Sequence, residues 1–243
     1  MAQLNFPEKS GIINTRTQGE KQTVSMGWSA FPTERMNEMK VLFVNGSSRK
    51  NGCTNVALQE VARALQEEGI ETEFFFVGNQ PLPDCIACHQ CSKTGECVFQ
   101  DQANELAKKA AECDGFVFGS PVYYAHPSAR LMAVMDRAFY SCGKNFFQKP
   151  AAAVLSARRA GTTASMDVIN KYFTICSMPV VSSTYWNHVY GNQPEEVQQD
   201  KEGLMTMYNI GKNMAWLLKC LDLGKQQGIL PPENPKVLTN FAR

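Results

Sequence analysis

A chain of 243 residues, with 44% apolar and 19% charged residues, is long enough to bury one sizeable core, so we expect one domain with extensions. The 24 basic and 23 acidic residues leave a net charge of +1, which provides no polybasic field for nucleic acid or an anionic membrane. No apolar run is long enough to span a bilayer and no apolar signal segment is present, so we predict a cytoplasmic protein with small-molecule or protein partners.

The order of the predicted elements defines one regular domain. Residues 1–39 are polar and lack periodicity, which predicts an N-terminal extension or arm before a domain over 40–224 and a tail over 225–243. Within the domain, apolar runs alternate with helical patterns. Strands are predicted at 40–44, 71–77, 115–120, 151–156 and 179–183, and helices at about 54–68, 104–113, from Pro127 onward, 163–176 and about 195–223. Strands that are apolar throughout and separated by helices indicate a doubly wound parallel sheet of five strands with helices on both faces.

The loop after the first predicted strand, "GSSRKNGCTN" at 46–55, leads from a buried strand into a helix through small and hydroxyl residues. Such a loop directs backbone N–H groups toward an anion. It has neither the Gly-Lys-Ser/Thr of a P-loop nor the glycine spacing of a dinucleotide site, which favours a phosphate on another kind of molecule. The candidate donors are Ser47, Arg49, Asn51, Thr54 and Asn55. The alternative is an ordinary strand-to-helix turn capped by Thr54.

This loop, together with "GSPVYYAHPSARLMAVMDR" (119–137) after the third predicted strand, resembles the NADPH-dependent FMN reductase branch of the flavodoxin-like superfamily. The resemblance covers about 39–223 and implies strand order 2-1-3-4-5. It also implies an FMN whose phosphate lies in the first loop and whose ring rests on the second loop, lined by Pro121, Val122, Tyr123, Tyr124 and Ala125. Independently, ligands of open parallel sheets bind where the strand order reverses, and both loops lie there in this order.

Two later loops reach the same edge of the predicted sheet. By resemblance, "SARRAGTT" at 156–163 passes near the pyrimidine side of the flavin or an acceptor pocket, through Ala157, Arg158, Arg159 and Gly161. A guanidinium there would stabilise the anionic reduced ring, and solvated charge is the alternative. The aromatic stretch "STYWNHVYG" at 183–191 covers the site, forms a subunit contact or simply packs in the core.

The segment 85–97 carries four cysteines, Cys85, Cys88, Cys91 and Cys97, in the spacing CxxCxxCx5C. Three thiolates at successive intervals of three residues can converge on one compact cluster, whereas zinc ribbons use two separated CxxC pairs. The spacing therefore favours a [4Fe–4S] cluster, and placed after the second strand it resembles the iron-sulfur flavoproteins. A small-residue stretch without a cluster is the alternative. Because it follows a neighbour of the first strand, we expect this segment on the flavin side of the sheet.

The combined prediction is an FMN-dependent oxidoreductase that moves electrons from NAD(P)H or a ferredoxin-type protein donor through FMN to a small acceptor or to the cluster. Flavin N5 performs the chemistry, so no catalytic acid or base is predicted. The alternatives are a plain FMN or quinone reductase without a cluster, a non-catalytic flavodoxin-like electron carrier, and a flavoprotein for assembly or sensing. We expect a homodimer or homotetramer, and neither nucleic acid nor a membrane as a partner.

Overall fold

A computed structural model describes residues 39–233, so the predicted N-terminal arm, apart from Met39, and residues 234–243 lie outside the described residues. The strands are β1 (Lys40–Asn45), β2 (Glu71–Phe76), β3 (Gly115–Tyr123), β4 (His126–Pro127), β5 (Ala151–Ala157) and β6 (His188–Tyr190). The helices are α1 (Cys53–Glu67), α2 (Cys91–Thr94), α3 (Gln102–Ala111), α4 (Ala129–Cys142), α5 (Thr162–Ile175), α6 (Pro194–Val197) and α7 (Lys201–Gln226).

Five strands form a parallel sheet in the order β2-β1-β3-β5-β6, and β4 pairs antiparallel with the end of β3. When β4 is set aside, this is the predicted flavodoxin-like order. Residues of the central strands alternate between the two faces: Leu42 and Val44 pack on one side, and Val41 and Phe43 on the other. Helices α3, α4 and α5 cover the first face, while α1 and α7 cover the second. Both faces of the central strands are therefore buried, which is why these strands are mostly apolar, whereas the edge strand β2 begins with the polar residues Glu71, Thr72 and Glu73.

The predicted strand at 179–183 is wrong, because the segment forms only an isolated bridge between Ala151 and Val180. Pro179 has no N–H to give to a ladder, and the following serines turn the chain toward α7, where Ser183 Oγ donates to Thr206 O at 2.7 Å. The edge of the sheet is instead β6, whose His188 pairs with Leu155.

Two predicted helix boundaries also differ from the structure. Pro127 belongs to β4, and α4 begins after Ser128, whose Oγ accepts from Leu131 N at 3.3 Å as an N-cap. The last predicted helix is split into α6 and α7, because Asp200 caps a new helix by accepting from Gly203 N at 2.9 Å. Helix α7 then continues across the predicted domain boundary at 224–225. Within 39–233, no helix combines the length and apolar character needed to cross a bilayer.

Candidate functional site

The loop after β1 is shaped by the side chain of Asn45, the last residue of the strand. Asn45 is buried, its Oδ1 accepts from Ser47 N at 3.0 Å, and its Nδ2 donates to Lys50 O at 3.1 Å. Ser47 Oγ in turn accepts from Arg49 N at 3.1 Å. These bonds fix the loop without a ligand. Sequence reasoning missed Asn45, although a polar residue that ends a buried strand is a visible signal.

Helix α1 begins directly after this loop with an N-terminus that no side chain caps. Gly52 is the N-cap, so Thr54 does not cap the helix as the alternative prediction had it. The first-turn N–H groups of Cys53 and Thr54 have no intrahelical acceptor, and the helix dipole makes this end attractive to anions. Arg49 and Asn51 are exposed at the rim of the loop, where their side chains are accessible to an anion, and Asn55 is half-buried.

Thr54 has a second contact that ties the loop to another strand. Its hydroxyl lies 2.8 Å from Ser156 Oγ at the end of β5, and both residues are buried. Thr54 therefore links α1 to β5, and its proton is available to a ligand only where Ser156 is the donor of this bond. The main role that this geometry supports for Thr54 is to link α1 to β5.

The loop after β3 is a tight hairpin rather than an open loop. Tyr123 pairs with His126, and the two residues between them, Tyr124 and Ala125, have φ of +50° and +58°. Two central residues with positive φ are typical of a type I′ turn, which glycine and asparagine prefer, so a tyrosine there costs about 1–2 kcal/mol. Tyr124 is fully exposed and Tyr123 is 52% exposed, so neither ring is a packing residue of the core. Strain combined with exposed rings is typical of a binding site.

The loop after β5 packs directly against this hairpin. Gly161 has φ of +89°, and a Cβ at that position would lie 2.5 Å from Ala125 Cα and 3.1 Å from Val122 Cγ1. Gly161 is also the N-cap of α5, again without a side-chain cap. Ala157 is buried at the end of β5, whereas Arg158 is exposed. The second and third predicted loops are therefore in contact, and glycine is required where they meet.

Backbone and serine hydrogen bonds join the loop after β1 to the loop after β3. Gly46 N donates to Gly119 O at 2.8 Å, and Ser128 Oγ donates to Gly46 O at 2.7 Å. Ser120 Oγ accepts from Ser128 N at 2.9 Å and donates to the carbonyl of Pro121 at 2.8 Å. The carboxyl ends of β1, β3 and β5 thus form one preassembled edge at the point where the strand order reverses, which is the ligand-binding position of such sheets.

A cavity of about 470 Å³ opens beside this edge, between the start of α5, β6 and the start of α7. Its lining includes aromatic residues of the stretch 183–191, and its polar lining includes Arg159, Asp200 and Glu202. Trp186 is half-exposed, while His188 is buried and its Nδ1 has no hydrogen-bond partner among the described residues. Burial lowers the pKa of His188 against the opposing effect of the two carboxylates, which favours a neutral imidazole. The cavity has the size and aromatic lining of a small-molecule site.

The four cysteines of the segment 85–97 line one concave pocket together with Arg137 and Tyr140. The backbone is irregular here, since Ala87 and His89, on either side of Cys88, have φ of +52° and +54°. Across residues 39–233, no group of three or more His, Cys, Asp or Glu side chains is placed to hold a metal ion. A cluster of several irons has its ligands further apart than one ion does. Four cysteines around one apolar pocket are the residue type and number that a cubane requires.

The scaffold holds the last of these cysteines most firmly. Asn104 is buried on α3, and it accepts from Cys97 N and donates to Cys97 O, both at 2.9 Å. Burial raises the pKa of the Cys91 thiol, and the neighbouring cysteines raise it further. Without metal, Cys91 therefore favours the protonated thiol, and the positive charge of bound iron would favour its thiolate.

The pocket lies further from the flavin loops than the sequence predicted. It rests on the second half of α4, where Tyr140 OH lies 3.3 Å from His89 Nδ1 and Cys142 Sγ donates to Gly95 O at 2.9 Å. Helix α4 begins beside the loops at Ser128, and at 1.5 Å per residue Arg137 is about 14 Å along its axis. The expectation of a cysteine segment at the flavin edge is corrected: the chain leaves that edge after β2 and runs back along α4.

Comparisons with known proteins agree with this geometry. Residues 39–193 match the family model described as NADPH-dependent FMN reductase. An iron-sulfur flavoprotein of Methanocaldococcus jannaschii is 36% identical over 75% of this chain and 99% of its own length. An iron-sulfur flavoprotein of Methanosarcina thermophila is 26% identical over 78% of this chain and 100% of its own length.

Solved structures show the same fold at low identity. A flavone reductase superposes with a TM-score of 0.58 and 18% identity, over 76% of this chain and 64% of that chain. A flavodoxin from the domain Archaea gives 0.51 and 14%, over 74% of this chain and 99% of that chain. The predicted flavodoxin-like fold is confirmed.

Proposed function

Since the chain belongs to the NADPH-dependent FMN reductase family, we propose that it carries electrons from NAD(P)H or a protein donor through FMN to a [4Fe–4S] cluster or a small acceptor. The observation that carries this proposal is the contact between Gly161 and the Tyr124–Ala125 turn, which joins the predicted flavin loops into one edge. The four-thiol pocket on α4 of the same domain supports the second redox centre.

The residues at this edge fit FMN. The phosphate would lie against the first-turn N–H groups of α1 with Arg49 and Asn51 beside it, and the ring against the β3–β4 hairpin and Gly161. Bound FMN supplies hydride and single-electron chemistry. The chain's residues bind and orient it, and the strained turn presents Tyr123 and Tyr124 outward. No side chain is required as an acid or base.

The Arg49 side chain provides the first test of the phosphate position. Replacing Arg49 with Gln is expected to lower the affinity for FMN about tenfold, because a charge-assisted hydrogen bond contributes roughly 1.5–3 kcal/mol. The affinity for riboflavin, which lacks the phosphate, should be unchanged. Fluorescence titration of apoprotein with both flavins measures the difference, and Lys171→Gln, an exposed cation on α5, is the matched control. Equal losses for FMN and riboflavin would contradict the placement.

The iron-sulfur assignment rests on Cys85, Cys88, Cys91 and Cys97, whose thiols line one pocket. The two relatives described above, from Methanocaldococcus jannaschii and Methanosarcina thermophila, are named iron-sulfur flavoproteins, which supports it. Thiolate ligands persist where thiols are kept reduced, so we propose a cytoplasmic location. The distance along α4 between pocket and loops supports a homo-oligomer in which one subunit's cluster serves another subunit's flavin.

We assign the small acceptor to the cavity between α5, β6 and α7, where Trp186 provides an exposed ring for stacking. Replacing Trp186 with Ala should raise the KM for a quinone about three- to tenfold with little change in kcat, since an aromatic pair contributes about 0.5–1.5 kcal/mol. Trp216→Ala removes a 67% exposed indole from α7, outside the cavity, and should leave the KM unchanged. Equal KM values for both variants would exclude this cavity as the acceptor site.

Steady-state turnover tests the oxidoreductase assignment directly. Protein loaded with flavin and iron, given NADH or NADPH and a quinone or free FMN, is expected to oxidise the nicotinamide continuously. Absence of turnover with either nicotinamide would remove NAD(P)H as the donor. A reduced ferredoxin then distinguishes an enzyme with a protein donor from a carrier without turnover.

A further inference from the structure

Arg137 on α4 is a buried cation that the flavin chemistry does not use. Its side chain is 1% exposed, so its charge must be compensated inside the protein. Nη2 donates to Asp101 Oδ2 at 3.0 Å, and Nε donates to Ala133 O at 3.2 Å. The guanidinium also lies 5.5 Å from the ring centre of Phe99. One carboxylate balances its charge, and the Nη1 amino group points elsewhere.

That remaining group points into the cysteine pocket. Arg137 Nη1 donates to Cys97 Sγ across 3.7 Å, and Arg137 itself lines the pocket with the four cysteines. A neutral thiol is a weak acceptor, so it compensates the charge of a buried guanidinium only slightly. A thiolate that ligates a cluster is a charged acceptor, for which an arginine N–H is a strong donor. The contact is therefore better matched to a cluster ligand than to a thiol.

We propose that Arg137 is a positioning residue for the [4Fe–4S] cluster, which hydrogen-bonds the sulfur of Cys97 and raises the cluster's reduction potential. The inference rests on the proposed function, because it requires the cluster. Reduction adds one electron and hence one negative charge to the cluster, and a guanidinium at hydrogen-bond distance in a buried position favours that charge. Asp101 opposes this effect, because its carboxylate neutralises part of the same guanidinium.

Arg137 and Asp101 are expected to affect the reduction potential of the cluster in opposite directions, so substitutions of the two residues should shift it with opposite signs. In Arg137→Met, the equilibrium constant for one-electron reduction of the cluster should fall about tenfold, a shift of about 59 mV to more negative potential. In Asp101→Asn the potential should become more positive. Asparagine caps a helix as well as aspartate does, so the bond from Ala103 N to residue 101 is retained.

The experiment is a redox titration of the holoprotein, purified without oxygen, with the cluster followed by electron paramagnetic resonance and the flavin by absorbance. Iron, sulfide and FMN per chain are measured on the same samples. The flavin potential should stay unchanged in each variant. The double variant Arg137→Met/Asp101→Asn removes both charges, so it leaves no unpaired carboxylate, and its cluster potential should lie below that of Asp101→Asn.

Three results would overturn the inference. A cluster potential equal in the double variant and in Asp101→Asn shows that Arg137 has no effect on it. An unchanged or more negative potential in Asp101→Asn, which retains Arg137, overturns the proposal without any substitution of the arginine. Wild-type protein with FMN but neither iron nor sulfide removes the proposed cluster and this inference together, whereas an intact cluster with unmoved potentials removes the inference alone.

Discussion

Replacing Cys88 with Ala is expected to reduce the iron and sulfide of the purified protein to less than about a tenth of the wild-type content, because a cubane requires all four ligands. Cys88 is exposed and lies between two residues with positive φ, Ala87 and His89, so its side chain contributes little to the core. FMN content and the thermal unfolding temperature should therefore stay near the wild-type values.

Another exposed cysteine provides the matched control for this substitution. Cys220 lies on α7 and is not among the residues that line the cysteine pocket. Cys220→Ala should retain the wild-type content of iron, sulfide and FMN. If Cys88→Ala instead retained wild-type iron and sulfide after the same maturation, the four cysteines would not be the ligands of a cluster.

Replacing Gly161 with Ala is expected to lower the affinity for FMN by tenfold or more. The new Cβ would lie 2.5 Å from Ala125 Cα, a backbone atom of the strained hairpin, so the turn that presents Tyr124 must move. The substitution also forces alanine into the left-handed region, at a cost of about 1–2 kcal/mol in stability.

Gly69 separates these two effects, because it shares the backbone strain without the contact. It has φ of +78° at the end of α1, and a Cβ there meets nothing within 4 Å. Gly69→Ala should therefore lower the free energy of unfolding by a similar amount and leave FMN affinity unchanged. Titration of both apoproteins with FMN, beside urea unfolding, measures the two quantities. Equal FMN affinities in the two variants would show that the hairpin does not hold the flavin.

The sequence was informative about the sheet wherever the strands are buried on both faces. The three central strands β1, β3 and β5 begin at the predicted residues, because most of their residues are buried between the two helical layers. Strand β6 has only three residues among exposed aromatic side chains, whereas 179–183 is more apolar and matches the pattern of a buried strand better. Residues 179–183 form only one bridge to β5, and which segment extends the sheet beside β5 depends on distant contacts, such as Ser183 with Thr206, that no local pattern encodes.

At the site too, residues in local motifs could be predicted from the sequence, whereas contacts between distant residues could not. The hydroxyl-rich loop and the "PVYYA" stretch are local patterns, and both lie where the predicted strand order places them. Arg137 is the last residue of the motif 119–137, yet its importance was missed, because its partners Asp101 and Cys97 precede it by 36 and 40 residues. A cation on the apolar face of α4, near Val134 and Ala138, is the signal that was available.

We infer that one chain holds both a flavin and an iron-sulfur cluster. The test is purification without oxygen from cells supplied with iron, followed by counting FMN, iron and acid-labile sulfide per chain. We expect about one FMN with about four iron and four sulfide, the content of a [4Fe–4S] centre. One FMN per chain without iron or sulfide would contradict it and leave a plain flavin reductase.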